Sequence, residues 1–95
     1  MFLLNISYST TPAQVEPHIK GHSEWVVRHL NEGVILFAGP KKSGLGGIIA
    51  VGNISKEQLL NILAQDPYVQ ADVCDVQISD FTCKLAQPAL QSLLD

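Results

Sequence analysis

The sequence predicts an α+β domain in which a four-stranded antiparallel sheet carries two helices on one face, in the chain order βαββαβ. Three observations carry that expectation. Period-two alternation marks the first and last strands, two stretches begin with helix-capping signals, and two continuous apolar runs flank a glycine-rich loop.

Residues 2–8 form the first strand, alternating in their second half and stopped by Ser9-Thr10-Thr11-Pro12. Thr11 and Gln14 have capping-box spacing and Pro12 suits the first helical position, so a helix starts there. Pro17 kinks that helix or opens a second piece of it. At about 100° per residue Val15, Ile19, Val26 and Leu30 share one stripe, with His22 inside it. Gly33 ends the helix. Residues 34–38 are the second strand, residues 39–47 a loop and residues 48–51 the third strand, and the unbroken apolar character of both strands predicts burial on two faces. Ser55 and Gln58 make a second capping box. Leu59, Leu60, Ile62 and Leu63 continue that helix, which stops before Asp66-Pro67 because a residue preceding proline avoids helical angles. Residues 72–81 then alternate, with Cys74, Val76 and Ile78 on one side and Asp75, Gln77 and Ser79 on the other.

This is the ferredoxin-like arrangement, which leaves one sheet face open. Asn5, Ser7, Asp75, Gln77 and Ser79 give that face polar groups, while the middle strands give it apolar ones that a monomer rarely exposes as a large patch. A homodimer packed sheet against sheet covers the apolar part and leaves a semi-polar cavity. Residues 1–83 are expected to form the domain. Residues 84–95 form a tail with a short helix, whose Leu90, Leu93 and Leu94 clasp the dimer partner or fold back.

Ninety-five residues suffice for one core without disulfide or metal staples. A net charge of −3, with only 16% charged residues, argues against a nucleic-acid surface. Cys74 and Cys83 lie on one extended segment, nearly 30 Å apart at about 3.3 Å per residue, so both are expected as free thiols in a reducing cytoplasm. The first six residues have neither a basic stretch nor the apolar length of an export signal or membrane anchor, so no membrane partner is expected.

His22 sits on the buried stripe, where an imidazole is costly unless its nitrogens are bonded. Either a backbone carbonyl satisfies it in the core, or it serves as a general acid or base. His18 precedes it by one turn at a spacing that also suits metal ligands, but His29 is about 10 Å further along the axis and no third ligand is evident, so no metal is expected. Asp66 before Pro67 has the pattern of a helix N-cap. A carboxylate there could equally hold one ring nitrogen of a histidine and fix its tautomer. Tyr68 either offers a hydroxyl to the same pocket or packs. The loop containing Lys41, Lys42, Ser43 and four glycines lacks Walker spacing. It is a mobile hairpin connection, or a lid whose Lys42 and Ser43 meet an anionic substrate. No nucleotide or flavin fingerprint appears, and proton transfer by these residues requires no cofactor.

His18-x-x-x-His22, the run from Glu32 through Gly39-Pro40, Gly46-Gly47-Ile48-Ile49 and Asp66-Pro67-Tyr68-Val69 together resemble the YCII-related (YciI-like) family of the dimeric α/β-barrel superfamily, over nearly the whole domain. The resemblance implies a ferredoxin-like protomer, a homodimer whose sheets form a barrel, and an active site built on a His–Asp pair, carried here by His22 and Asp66. It also points to small-molecule chemistry: isomerisation or elimination, as in a related dehydrochlorinase. Ser23 and Ala38 depart from frequent family choices, arginine and serine. The alternative is a non-catalytic module that binds a small ligand or a protein with the same cavity.

Overall fold

The computed structural model describes residues Met1–Asp95. Its elements are β1 (Phe2–Tyr8), α1 (Pro12–Val15), a 3-10 turn (Glu16–His18), α2 (Ile19–Asn31), β2 (Ile35–Pro40), β3 (Gly46–Val51), α3 (Lys56–Leu63), α4 (Pro67–Gln70) and β4 (Cys74–Asp80). The strands lie in the order β2-β3-β1-β4 and every neighbouring pair is antiparallel. That is the α+β, ferredoxin-like sheet the strand pattern predicts.

Alternation along β1 separates the two faces. Phe2, Leu4 and Ile6 are buried under the helices, whereas Asn5 and Ser7 are exposed on the open face. Leu4 lies opposite Ile49 of β3 and Ile78 of β4, so its neighbours extend the same apolar layer. Trp25, Leu59 and Leu63 close that layer from the helix side. The Trp25 indole N–H donates to the Ile62 carbonyl at 3.1 Å, which ties α2 to the end of α3 and satisfies the one polar atom of a buried ring.

Three local expectations change. The Thr11 capping box does not form, because the Gln14 N–H bonds the Thr11 backbone carbonyl at 3.0 Å and the threonine side chain caps nothing. The Ser55 box does form: Gln58 N–H donates to Ser55 Oγ at 3.1 Å, and Ser55 N–H to Gln58 Oε1 at 2.9 Å. Of the two outcomes open at Pro17, a second and longer helix follows it; the 3-10 turn between α1 and α2 winds more tightly and shifts the phase of α2 from the expected stripe. The inward positions of α2 are therefore Trp25 and His29, while Ile19 and Leu30 remain 44% and 43% exposed. The third change is at the hairpin. Gly39, Pro40, Gly46 and Gly47 belong to the strands, with Pro40 opposite Gly47, leaving only residues 41–45 as the connection. Pro40 is tolerated because β2 is an edge strand, where a missing N–H need not break a ladder.

Nor are β2 and β3 buried on both faces of this chain. Ile35, Ile49 and Val51 are buried, but Phe37 is 52% and Ile48 37% exposed, because apolar runs on β2 and β3 face helices on one side only. A Schellman motif closes α2, with Gly33 at φ +78° and its N–H bonded to the Leu30 carbonyl, while Val34 N–H bonds that of His29. Beyond β4 the chain forms a 3-10 helix (Pro88–Leu93), and Asp95 returns to accept from the Cys83 N–H at 2.9 Å. Cys74 and Cys83 are free thiols. No helix is long and apolar enough to cross a membrane.

Candidate active site

Asp66 is the N-cap of α4, and its Oδ1 accepts the Tyr68 N–H at 3.0 Å. The same oxygen lies 2.8 Å from His22 Nδ1 on α2. The two meanings that the sequence leaves open are thus one geometry: an N-cap carboxylate that also meets an imidazole. An ionised carboxylate has no hydrogen to give, so in a contact with it Nδ1 is the donor and Nε2 takes no part. Gly21 allows this approach. A Cβ there would stand 3.1 Å from Pro67 Cγ, so a side chain on α2 would push against the first residue of α4.

Asp66 is fully buried, and its second oxygen, Oδ2, has no hydrogen-bond partner. An ionisable group sealed with one oxygen unanswered is costly for a fold and is the kind of exception that clusters at sites of function. His22 is less enclosed, with 16% of its side chain accessible. Its ring stacks on Tyr68 with centroids 3.9 Å apart and planes 5° from parallel, and lies 5.8 Å from the Trp25 ring. The close stack on Tyr68 holds the imidazole plane while the carboxylate holds its edge.

His22 also lines a cavity of about 440 Å³ between α2 and the helix-facing side of the sheet. Tyr8, Tyr68, Ser23 and His22 supply its polar side chains, and Ile6, Val26, Ala38, Pro40 and Ile49 much of its apolar wall. The His22 cavity thus lies under the helices, on the opposite side of the sheet from the open face where strand patterning places a semi-polar hollow. Burial, with the Tyr8 hydroxyl next to it, pushes the Tyr68 hydroxyl well above the ordinary tyrosine range.

Of the residues singled out in the sequence, the structure brings His22, Asp66 and Tyr68 together. His18, Lys42 and Ser43 do not line the cavity. His18 belongs to the 3-10 turn ahead of α2, out of helical phase with His22. Lys42 is exposed, and Ser43 Oγ accepts the Leu45 N–H at 3.2 Å, closing the short hairpin turn. The anchored lysine is its neighbour, Lys41, whose Nζ donates to Ser7 Oγ at 2.9 Å. No three His, Cys, Asp or Glu side chains converge in metal-binding geometry. Tyr8 is not legible in the sequence as a site residue, because at the end of a strand it reads as packing; only its pairing opposite Cys74 of β4 turns it toward Tyr68.

A four-stranded antiparallel sheet with helices on one face and a His–Asp contact beside a cavity defines a small α+β protein with one candidate site. The chain belongs to the YCII-related domain family, whose model matches residues 1–82. No curated protein matches it in sequence. Among solved structures it is similar to 5-chloro-2-hydroxyhydroquinone dehydrochlorinase (TftG) from Burkholderia phenoliruptrix AC1100, in complex with 2,5-dihydroxybenzoquinone. The TM-score is 0.69 over 86% of this chain and 94% of that one, at 13% identity, a likeness of fold.

Proposed function

We propose that the chain is a small cofactor-independent enzyme that moves protons on a small polar, cyclic or aromatic metabolite, as an isomerase or a lyase. His22 Nε2 takes the proton from the substrate and returns it, and Asp66 holds the imidazole in the tautomer that leaves Nε2 free. One observation carries the reading: the 2.8 Å contact between His22 Nδ1 and a fully buried Asp66, in a histidine that also lines a cavity. About 440 Å³ accommodates a single ring with substituents. Tyr68 supports the imidazole plane. Any part played by His18, Lys42 or Ser43 requires the hairpin or the first turn to move toward the cavity. A chlorinated hydroxyquinol is the substrate in the name of the solved relative, and hydroxylated rings are therefore the first compounds to try.

A second copy of the chain is proposed to cover the open sheet face, where Phe37 and Ile48 are exposed.

A thermal-shift screen of a metabolite library rich in hydroxylated and quinonoid rings tests the enzyme reading, because a ligand that binds only the native state raises its melting temperature. Hits are expected to stabilise the wild type and not His22→Ala, and to be turned over by the wild type alone. A set of hits equally effective on both proteins would move the site elsewhere.

A further inference from the structure

The chain has two tyrosines, and both line the His22 cavity. Their rings meet edge to face with centroids 5.8 Å apart, and their hydroxyl oxygens are 3.5 Å apart. Only one of two facing hydroxyls can donate to the other. The acceptor of that contact keeps its own O–H, which no other group of the chain engages. A hydroxyl that accepts one hydrogen bond while it donates another is polarised by the first, so the uncommitted O–H is the stronger donor. Burial of Tyr68 keeps its hydroxyl protonated and therefore able to take part as a donor.

The rest of the wall lacks any competing charge. No lysine or arginine lines the cavity, and Ser23 and Ala38 contribute only small side chains. A phosphate or a dianionic carboxylate would find no countercharge there and would lose its hydration, which is prohibitive in an apolar enclosure. A neutral ring with one oxygen at its edge meets an apolar wall and one directed donor.

We propose that Tyr8 and Tyr68 form an oxyanion-binding pair beside His22 in the cavity, so that the site takes uncharged cyclic carbonyl or phenolic compounds and binds them more tightly as the oxygen gains negative charge. This rests on the proposed role of His22 as the base. In the step common to isomerisation and elimination, Nε2 removes a proton from the carbon next to a carbonyl. The electron pair of the broken C–H bond becomes a C=C bond, the carbonyl π pair moves onto oxygen, and the free tyrosine O–H donates to that oxygen. His22 then carries the proton. In isomerisation it returns to the other end of the conjugated system as the carbonyl re-forms; in elimination the oxygen pair re-forms the carbonyl, the C=C pair shifts to the next carbon, and the group there leaves with its bonding pair and takes up the proton.

Binding of 4-nitrophenol, followed by absorbance of its phenol and phenolate forms, reads the pair without knowledge of the substrate, and 4-nitrotoluene serves as the shape control without the oxygen. The wild type is expected to bind the phenolate form saturably, and Tyr8→Phe to bind it roughly ten- to a hundredfold more weakly, the loss typical of one hydrogen bond to a charged group. Both proteins should bind 4-nitrotoluene equally, which also shows that the variant is folded. Equal phenolate affinity in wild type and Tyr8→Phe, or no saturable binding by the wild type, overturns the pair. The dyad is read separately, from hydrogen exchange at carbon acids of any hit in the thermal-shift screen. Exchange that survives in Tyr8→Phe at reduced rate and vanishes in His22→Gln keeps the base, whereas exchange unchanged in His22→Gln removes it whatever the phenolate titration shows.

Discussion

Replacing Asp66 by alanine should remove two stabilising contacts at once. The Oδ1 atom caps α4 through the Tyr68 N–H, and loss of such a cap costs about 1 kcal/mol. The same atom accepts from His22 Nδ1 at 2.8 Å, and a hydrogen bond to a charged group contributes about 1.5–3 kcal/mol. Against these stands relief of the sealed, unpartnered Oδ2, an offset on the order of 1 kcal/mol. The net expectation is a destabilisation of about 2 kcal/mol, which for a domain of this size lowers Tm by roughly 8–16 °C. Urea unfolding followed by circular dichroism gives the free energy directly. The dyad can be separated from the cap by repeating Asp66→Ala in a His22→Phe background, where a ring still stacks on Tyr68 but nothing contacts the carboxylate. There the substitution should cost close to nothing, because the loss of the cap, about 1 kcal/mol, is set against the same relief of Oδ2. If the two changes prove additive within about 0.3 kcal/mol, His22 and Asp66 do not interact energetically and the dyad is refuted.

Other expectations rest on single contacts. Burial, with Asp66 as the largest acidic contributor, pushes the Cys74 thiol up to about 11, so the folded chain retains a proton that the unfolded chain releases near the ordinary thiol range. Stability should be fully present below pH 9 and fall as pH rises toward 11; chemical denaturation across that window, with Cys74→Ser as the control that flattens part of the slope, checks it. Gly21→Ala should leave Tm nearly unchanged, because a helix-propensity gain of about 1 kcal/mol is set against the push on Pro67, yet should weaken ligand stabilisation by displacing Asp66. Phe37→Lys should turn a dimer into a folded monomer in light-scattering measurements; a monomeric wild type would dispose of the proposed sheet-to-sheet assembly.

Much of this architecture is legible in the sequence because local signals and tertiary environment agree. Ser55 and Gln58 form the capping box their spacing predicts, and the alternation of Cys74, Val76 and Ile78 with Asp75, Gln77 and Ser79 survives as the two sides of β4. The contact of His22 with Asp66 joins two short patterns 44 residues apart, but neither pattern says that one oxygen would serve both the cap and the imidazole. The failures have a common cause in backbone geometry that residue types do not report. A 3-10 turn at Pro17 rotates α2, so a stripe drawn through it puts Leu30 inside and misses the burial of His29. Gly39, Pro40, Gly46 and Gly47 look like turn residues, yet pairing at a sheet edge makes them strand. Tyr8 joins the site only through the register of β1 with β4, which a single sequence does not specify.

The tautomer of His22 tests the central contact most directly. Nitrogen-15 NMR of the imidazoles, at a pH where His22 is neutral, should show its hydrogen on Nδ1 and a bare Nε2, with the Nδ1 signal moving in Asp66→Asn. A neutral ring carrying its hydrogen on Nε2, unchanged by that substitution, would contradict the dyad and with it the chemistry assigned to the cavity.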